Sequence, residues 1–91
     1  MANEELQKDI EGKPVGEITH YFGQIGVAVI DLSDSLKTGE TIRIVGGETD
    51  FTQAVDSMEV EHEKVKEAKA GSSVGIKIDQ KVREGYKVYK V

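Results

Sequence analysis

Cysteine and tryptophan are missing from this 91-residue chain, and proline occurs once. Without thiols there is no disulfide framework, no thiolate ligand and no cysteine nucleophile. No apolar run reaches the roughly 18 residues that a membrane-spanning helix needs. The first ten residues, M-A-N-E-E-L-Q-K-D-I, are polar and acidic and lack the apolar stretch of a secretory leader. A cytoplasmic address is therefore the expectation. Leucine is scarce, so the apolar content rests on valine and isoleucine, which favour sheet over a helix bundle. The ten glycines suit a turn-rich β domain. A chain this short buries roughly 60–65% of its unfolded surface, enough for one modest core.

Several chemistries are also missing. A phosphate-binding loop needs G-x-x-x-x-G-K-[ST] feeding a helix N-terminus. The nearest strings, Gly46-Gly47 and Gly23 to Gly26, have neither the lysine nor the helix. GTP binding by this chain alone is not expected, and no cofactor is implied. There is no G-x-S-x-G nucleophile motif. His20 lies beside Tyr21, and His62 lies in the acidic run E-V-E-H-E. A histidine among carboxylates can act as a general base, but without a cleft to preorganise it the reading is a solvated loop residue. Glu59, Glu61, His62 and Glu63 offer metal ligands close in sequence, but one imidazole without thiolates falls short of a usual zinc set. Three tyrosines and two phenylalanines are few for a glycan groove. The reading is a chain that is not an enzyme.

Along the chain, residues 1–13 read as a flexible tail, with Leu6 and Ile10 spaced to dock one helical turn. The domain is expected over residues 14–91. A first strand runs from Val15 to Tyr21, and Gly23 to Gly26 form a turn. V-A-V-I-D-L (Val27 to Leu32) is nearly all apolar, which predicts burial on both faces or a place in a barrel interior. Thr41 to Val45 alternates cleanly. Gly46 to Asp50 is a hairpin loop, and Phe51 to Met58 is one strand that Val60 continues. Residues 61–70 read as an irregular loop with Val65 plugging the core. Ser73 to Asp79 points Val74, Ile76 and Ile78 inward, and Tyr86 to Val91 closes the domain. Six or seven short strands about a dozen residues apart predict an all-β antiparallel barrel or sandwich, and the expectation is a closed barrel, since closure removes the exposed edges of a Val/Ile-rich sheet.

The net charge of −5 hides an asymmetry. Residues 1–63 hold 14 acids against 4 bases, and residues 64–91 hold 3 acids against 8 bases. A basic C-terminal third can present one cationic face to phosphate, or its charges can cancel against acids on neighbouring strands. Lys77, Lys81, Arg83, Lys87 and Lys90, with Tyr86 or Tyr89 as a stacking ring, make a candidate RNA face. His20, Tyr21 and Phe22 make a second.

Six pieces in order carry a family resemblance: G-E-I-T-H-Y-F, I-G-V-A-V-I-D-L, S-L-K-T-G-E-T-I-R-I, V-D-S-M-E-V-E-H, E-A-K-A-G-S-S-V-G-I-K-I and V-R-E-G-Y-K-V. The specific elements are L-K-x-G-[ED] at Leu36 to Glu40 and A-x-x-G-x-x-V-G-[IL] at Ala68 to Ile76. From Pro14 to Val91 the chain resembles the second-domain β-barrel of elongation factor Tu and related translation factors, here without a GTPase domain. It is also similar to the duplicate of that barrel in the bacterial initiation factor that carries initiator tRNA. Similar barrels are appended to unrelated enzymes, some peptidases among them, so the fold leaves the role open. The resemblance implies contact with tRNA or the ribosome in protein biosynthesis. It places the pocket for the aminoacylated 3′ end at Glu59, Glu61, His62, Ser73 and Val74. Ser73 replaces an asparagine of elongation factor Tu, and I-D-L-S-D replaces a more basic stretch. Two functions follow as expectations. One is a non-catalytic RNA-binding barrel using Glu59, Glu61, His62, Ser73, Val74, Lys77, Lys81, Arg83, Tyr86 and Lys87 on tRNA or rRNA. The other is a protein-interaction module that docks on a larger GTPase or RNA-modifying enzyme. No membrane partner is expected.

Overall fold

The computed structural model describes residues 12–91, so the tail expected over residues 1–13 falls, up to residue 11, outside the described residues. Ten strands follow in chain order: β1 (Lys13–Phe22), β2 (Val27–Leu32), β3 (Leu36–Lys37), β4 (Thr41–Gly46), β5 (Thr49–Ala54), β6 (Met58–Val60), β7 (Glu63–Val65), β8 (Glu67–Ala68), β9 (Ser73–Lys77) and β10 (Lys87–Lys90). No helix occurs among the described residues. Eight strands form one sheet in the order β5-β4-β10-β1-β2-β9-β6-β7, and β3 pairs with β8 in a small second sheet. Every pairing is antiparallel.

Alternation explains the core. Ala28, Ile30 and Leu32 of β2, Ile42 and Ile44 of β4, Val74 and Ile76 of β9, and Val88 of β10 all point inward and are buried. Val15, Ile18, Leu36, Val55, Met58, Ala68, Ile78 and Val82 complete the interior, and no charged or polar residue among those described is buried with them. Each fully buried isoleucine contributes about 1.5–3 kcal/mol relative to exposure. Val74, Ile76 and Ile78 point inward as their alternation predicts.

The ladder is curled but not closed. It has free edges at β5 and β7, so the expected closed barrel of six or seven strands is not what the hydrogen bonds draw. β5 and β6 stand near opposite ends of the strand order, yet only residues 55–57 separate them. Four residue steps span at most about 14 Å of extended chain, so the sheet must bend round on itself. Part of the seam is a side-chain amide. Gln53 Nε2 donates to the Lys77 carbonyl at 2.9 Å, and its Oε1 accepts the Asp79 N–H at 2.8 Å. Two register shifts in β1, between Pro14 and Gly16 and between Ile18 and His20, supply bend and twist. Pro14 sits beyond the reach of β2 and faces only β10, so its missing N–H breaks no ladder on that side.

Three local expectations change. Phe51 to Met58 is not one strand, because the Val55 N–H donates to the Glu40 carbonyl and the Val55 carbonyl accepts the Gly39 N–H. The β3–β4 connection thus captures Val55, and pairing resumes only at Met58 with β9. Residues 61–70 are not an irregular loop, since β7 and β8 lie within them; Ala68 is buried there, and Val65, half-buried, packs against the core. β2 is buried on one face only, since Val27 and Val29 are left half-exposed on the outer side.

Candidate ligand groove

The outward residues of β2 define the site. Beyond the core positions, Val27 and Val29 present apolar side chains to the outside, where a two-sided strand would carry polar ones. The β1–β2 turn adds Phe22 and Ile25, which remain 47% and 62% exposed. Ile25 and Gly26 both donate backbone N–H groups to the Phe22 carbonyl, which fixes the turn. The Phe22 ring meets His20 edge-on at 4.3 Å between centroids, and His20 Nδ1 lies 3.3 Å from a Glu84 carboxylate oxygen. Phe22, Ile25, Val27 and Val29 wall one side of a groove of about 470 Å³.

Glu59 of β6, Ser73, Val74 and Gly75 of β9, and Glu61 and His62 form the rest. Register places Val29, Gly75 and Glu59 side by side across β2, β9 and β6. Val74 is fully buried, so its side chain belongs to the core and it meets the groove with its backbone. Ser73 Oγ donates to Asp31 Oδ1 at 3.1 Å. Glu61 and His62 are the two-residue loop of the β6–β7 hairpin, between the paired Val60 and Glu63. Their φ angles are 53° and 71°, the only left-handed non-glycine residues among those described. That turn type favours Asn-Gly, and an ordinary L-residue there costs about 1–2 kcal/mol. The hairpin accepts that cost and holds a carboxylate and an imidazole at the groove mouth.

The predicted residues divide into two sets. Glu59, Glu61, His62, Ser73 and Val74 come together in the groove, while Lys77, Lys81, Arg83, Tyr86 and Lys87 do not line it. The Tyr86 ring packs over Gly46, where a Cβ would collide with it, and Lys87 Nζ is paired with Glu17 at 2.8 Å. Lys90 reaches Glu40 of the β3–β4 connection at 3.6 Å, so two of the basic C-terminal charges are offset by acids beside β10. Among the described residues no group of three His, Cys, Asp or Glu is placed to hold a metal ion. The walls formed by Ile25, Val27, Val29 and Gly75 were missed as site residues. Their sequence signals were an apolar run too continuous for a one-sided strand and an isoleucine between two turn glycines.

The clearly shifted carboxylates lie elsewhere. Asp50 is held below the ordinary aspartate value by Arg43, whose Nε and Nη2 donate to both its oxygens at 2.8 and 2.6 Å. Asp34 is lowered by Lys13 first and then by the Ser35 backbone N–H.

No known family pattern matches the chain. A Methanocaldococcus jannaschii protein named as a protease is 37% identical over 95 residues, covering 96% of this chain. The chain spans only 23% of that relative's length. Among solved structures, the C-terminal domain of a Geobacillus thermoleovorans protein named as a U32 peptidase superposes with a TM-score of 0.82 at 18% identity, over 86% of this chain and 99% of that one. The bacterial selenocysteine-specific elongation factor EF-Sec superposes with a TM-score of 0.63 at 19% identity, over 97% of this chain and 17% of that one. At these identities the structural likeness speaks for the fold. The chain has a translation-factor-like β fold, and the peptidase C-terminal domain shares it almost end to end.

Proposed function

We propose that this chain is a cytoplasmic, non-catalytic interaction module that acts within or on a larger protein of the peptidase type, with the groove as its contact surface. The observation that carries the reading is the groove itself, where Phe22, Ile25, Val27 and Val29 leave an apolar patch uncovered beside polar residues. Contiguous exposed apolar surface of this kind marks a contact with another molecule. Support also comes from the Methanocaldococcus relative, in which a matching segment forms about a quarter of the protein. The test mixes this chain with that relative lacking its matching quarter and measures association by calorimetry. Association is expected, and Ile25→Asp should abolish it without unfolding the domain. No association with the unmodified chain, or undiminished association of the variant, removes the reading.

A second reading, contact with tRNA or rRNA, is favoured by the likeness to the elongation factor and by cations that have no ion-pair partner among the described residues, Lys77, Lys81 and Arg83 among them. It predicts a tRNA complex that weakens steeply with salt and is lost in the Lys81→Ala, Arg83→Ala double variant. Absence of tRNA binding at low salt removes it.

A further inference from the structure

The groove also indicates what chemistry it takes. This inference rests on the docking reading and names the segment that docks. Three strand glycines make the case by contrast. At Gly16 a Cβ would run into the Asp31 carbonyl, and at Gly46 into the Tyr86 ring. Packing therefore demands glycine at both. At Gly75 a Cβ would meet only ordinary contacts, Val27 Cγ1 at 3.4 Å and the Glu59 carbonyl at 4.0 Å, and φ is not in the left-handed region. Glycine inside a strand costs about 0.5–1 kcal/mol relative to alanine. The fold gives no return on that cost, and the groove does. The missing side chain leaves the floor open between Val29 and Glu59.

The polar side of the groove is acidic. Glu59 and Glu61 are exposed, and among the described residues neither carboxylate has an ion-pair or hydrogen-bond partner. Lys64 is the cross-strand partner of Glu59 and Lys77 lies two residues beyond Gly75, yet neither lines the groove or pairs with these acids. Phosphate would meet two carboxylates here, whereas a cation would be welcomed. We propose that the groove accepts an extended peptide segment in which an apolar side chain, seated over Gly75 against Val29, is followed by a lysine or arginine attracted to Glu59 and Glu61.

The experiment uses fluorescence anisotropy with three labelled probes: a short peptide containing Leu-Arg, its Leu-Glu counterpart, and an RNA oligonucleotide ending in CCA. The Leu-Arg peptide should bind about three- to tenfold tighter than Leu-Glu, the range given by one or two exposed charge contacts. Glu59→Gln with Glu61→Gln should erase that preference while leaving apolar binding in place. Gly75→Ala should weaken both peptides while its melting temperature stays equal or rises, and Gly46→Ala should lose melting temperature. Equal binding of the two peptides, binding of neither at millimolar concentration, or binding of the RNA alone overturns the proposal. If association with the shortened Methanocaldococcus protein persists in that case, only the peptide chemistry has failed. If that association is also absent, the docking reading fails with it.

Discussion

Two neighbouring rows cross the outer face of the same sheet and differ in kind. One runs through Lys87, Glu17, Asp31 and Ser73 on β10, β1, β2 and β9. Its members satisfy one another: Lys87 pairs with Glu17 at 2.8 Å, and Ser73 donates to Asp31 at 3.1 Å. The other row, two residues along β2, runs through Val29, Gly75 and Glu59. Among the described residues, none pairs the Glu59 carboxylate, and Val29 stays half-exposed. A surface that is complete in itself contributes to solubility and strand register. A surface that groups uncovered apolar side chains beside hydrated, unpaired charge is the kind that a partner can cover. The inner face supplies the third term of the comparison, because Ile30 and Val74 are sealed there by the same strands.

The sharpest way to break this comparison is to cut one side chain on each face of β2. Ile30→Ala should lose about 2–5 kcal/mol, the usual cost of a cavity in a filled core. Val29→Ala, one residue away on the half-exposed face, should lose no more than about 1 kcal/mol. Urea unfolding of both variants decides it. Comparable losses would mean that Val29 is core and that the apolar row is merely the second side of a buried strand.

The next largest effect concerns the groove mouth. Replacing Glu61-His62 by Asn-Gly gives the turn the residues its dihedrals favour, so the domain should gain about 1–2 kcal/mol. The same change should weaken whatever the groove binds, because the carboxylate at position 61 disappears. Gain of stability with loss of binding supports the view that Glu61 and His62 are kept for their side chains. Loss of stability would mean that other contacts, not the dihedrals, hold the hairpin.

How much of this was legible beforehand follows from where the physics is local. The alternation of Thr41 to Val45 and of Val74, Ile76 and Ile78 is a nearest-neighbour signal, and those residues point where it predicts. The five acidic-side groove residues were named together through a family resemblance, and the register now gives a physical reason for their meeting: β6 pairs with β9, and β9 with β2. The break at Val55 could not be read, because it depends on backbone groups of Gly39 and Glu40 brought round by the chain. The open seam at Gln53 is similar: an amide side chain substitutes for a stretch of ladder, and no pattern of apolar residues records that. The apolar run of β2 fits either burial on both faces or a place lining the interior; Ala28, Ile30 and Leu32 do line the interior, while Val27 and Val29 face outward. A strand that faces a ligand and a strand buried on both sides share one sequence signature.

The polar row should matter least to stability. Glu17→Ala removes the partner of Lys87, and both side chains are about half exposed. Such pairs contribute about 0.2–1 kcal/mol and are screened by salt. The loss should therefore shrink as sodium chloride is added, and a loss that is unchanged by salt would point to packing rather than charge.

The pH dependence of folding supplies the finest comparison, and its sign can be worked out. Asp34 and Asp50 both titrate below their ordinary value of 3.8 in the folded chain, through Lys13 and Arg43 respectively. A carboxyl whose folded value is depressed binds its proton more weakly when folded than when unfolded. Its stabilising contribution is thus fully present above the unfolded value and fades as pH falls through the folded one. The melting temperature should accordingly hold steady near neutrality and begin to fall below about pH 4. Asp50→Asn removes one of the two groups, so its curve should start lower and be flatter in that acid range. Neither residue lines the groove, so peptide binding by Asp50→Asn at neutral pH should match that of the unmodified chain. A change in binding there would show that the Arg43–Asp50 corner communicates with the groove and that the two surfaces are less separate than their register suggests.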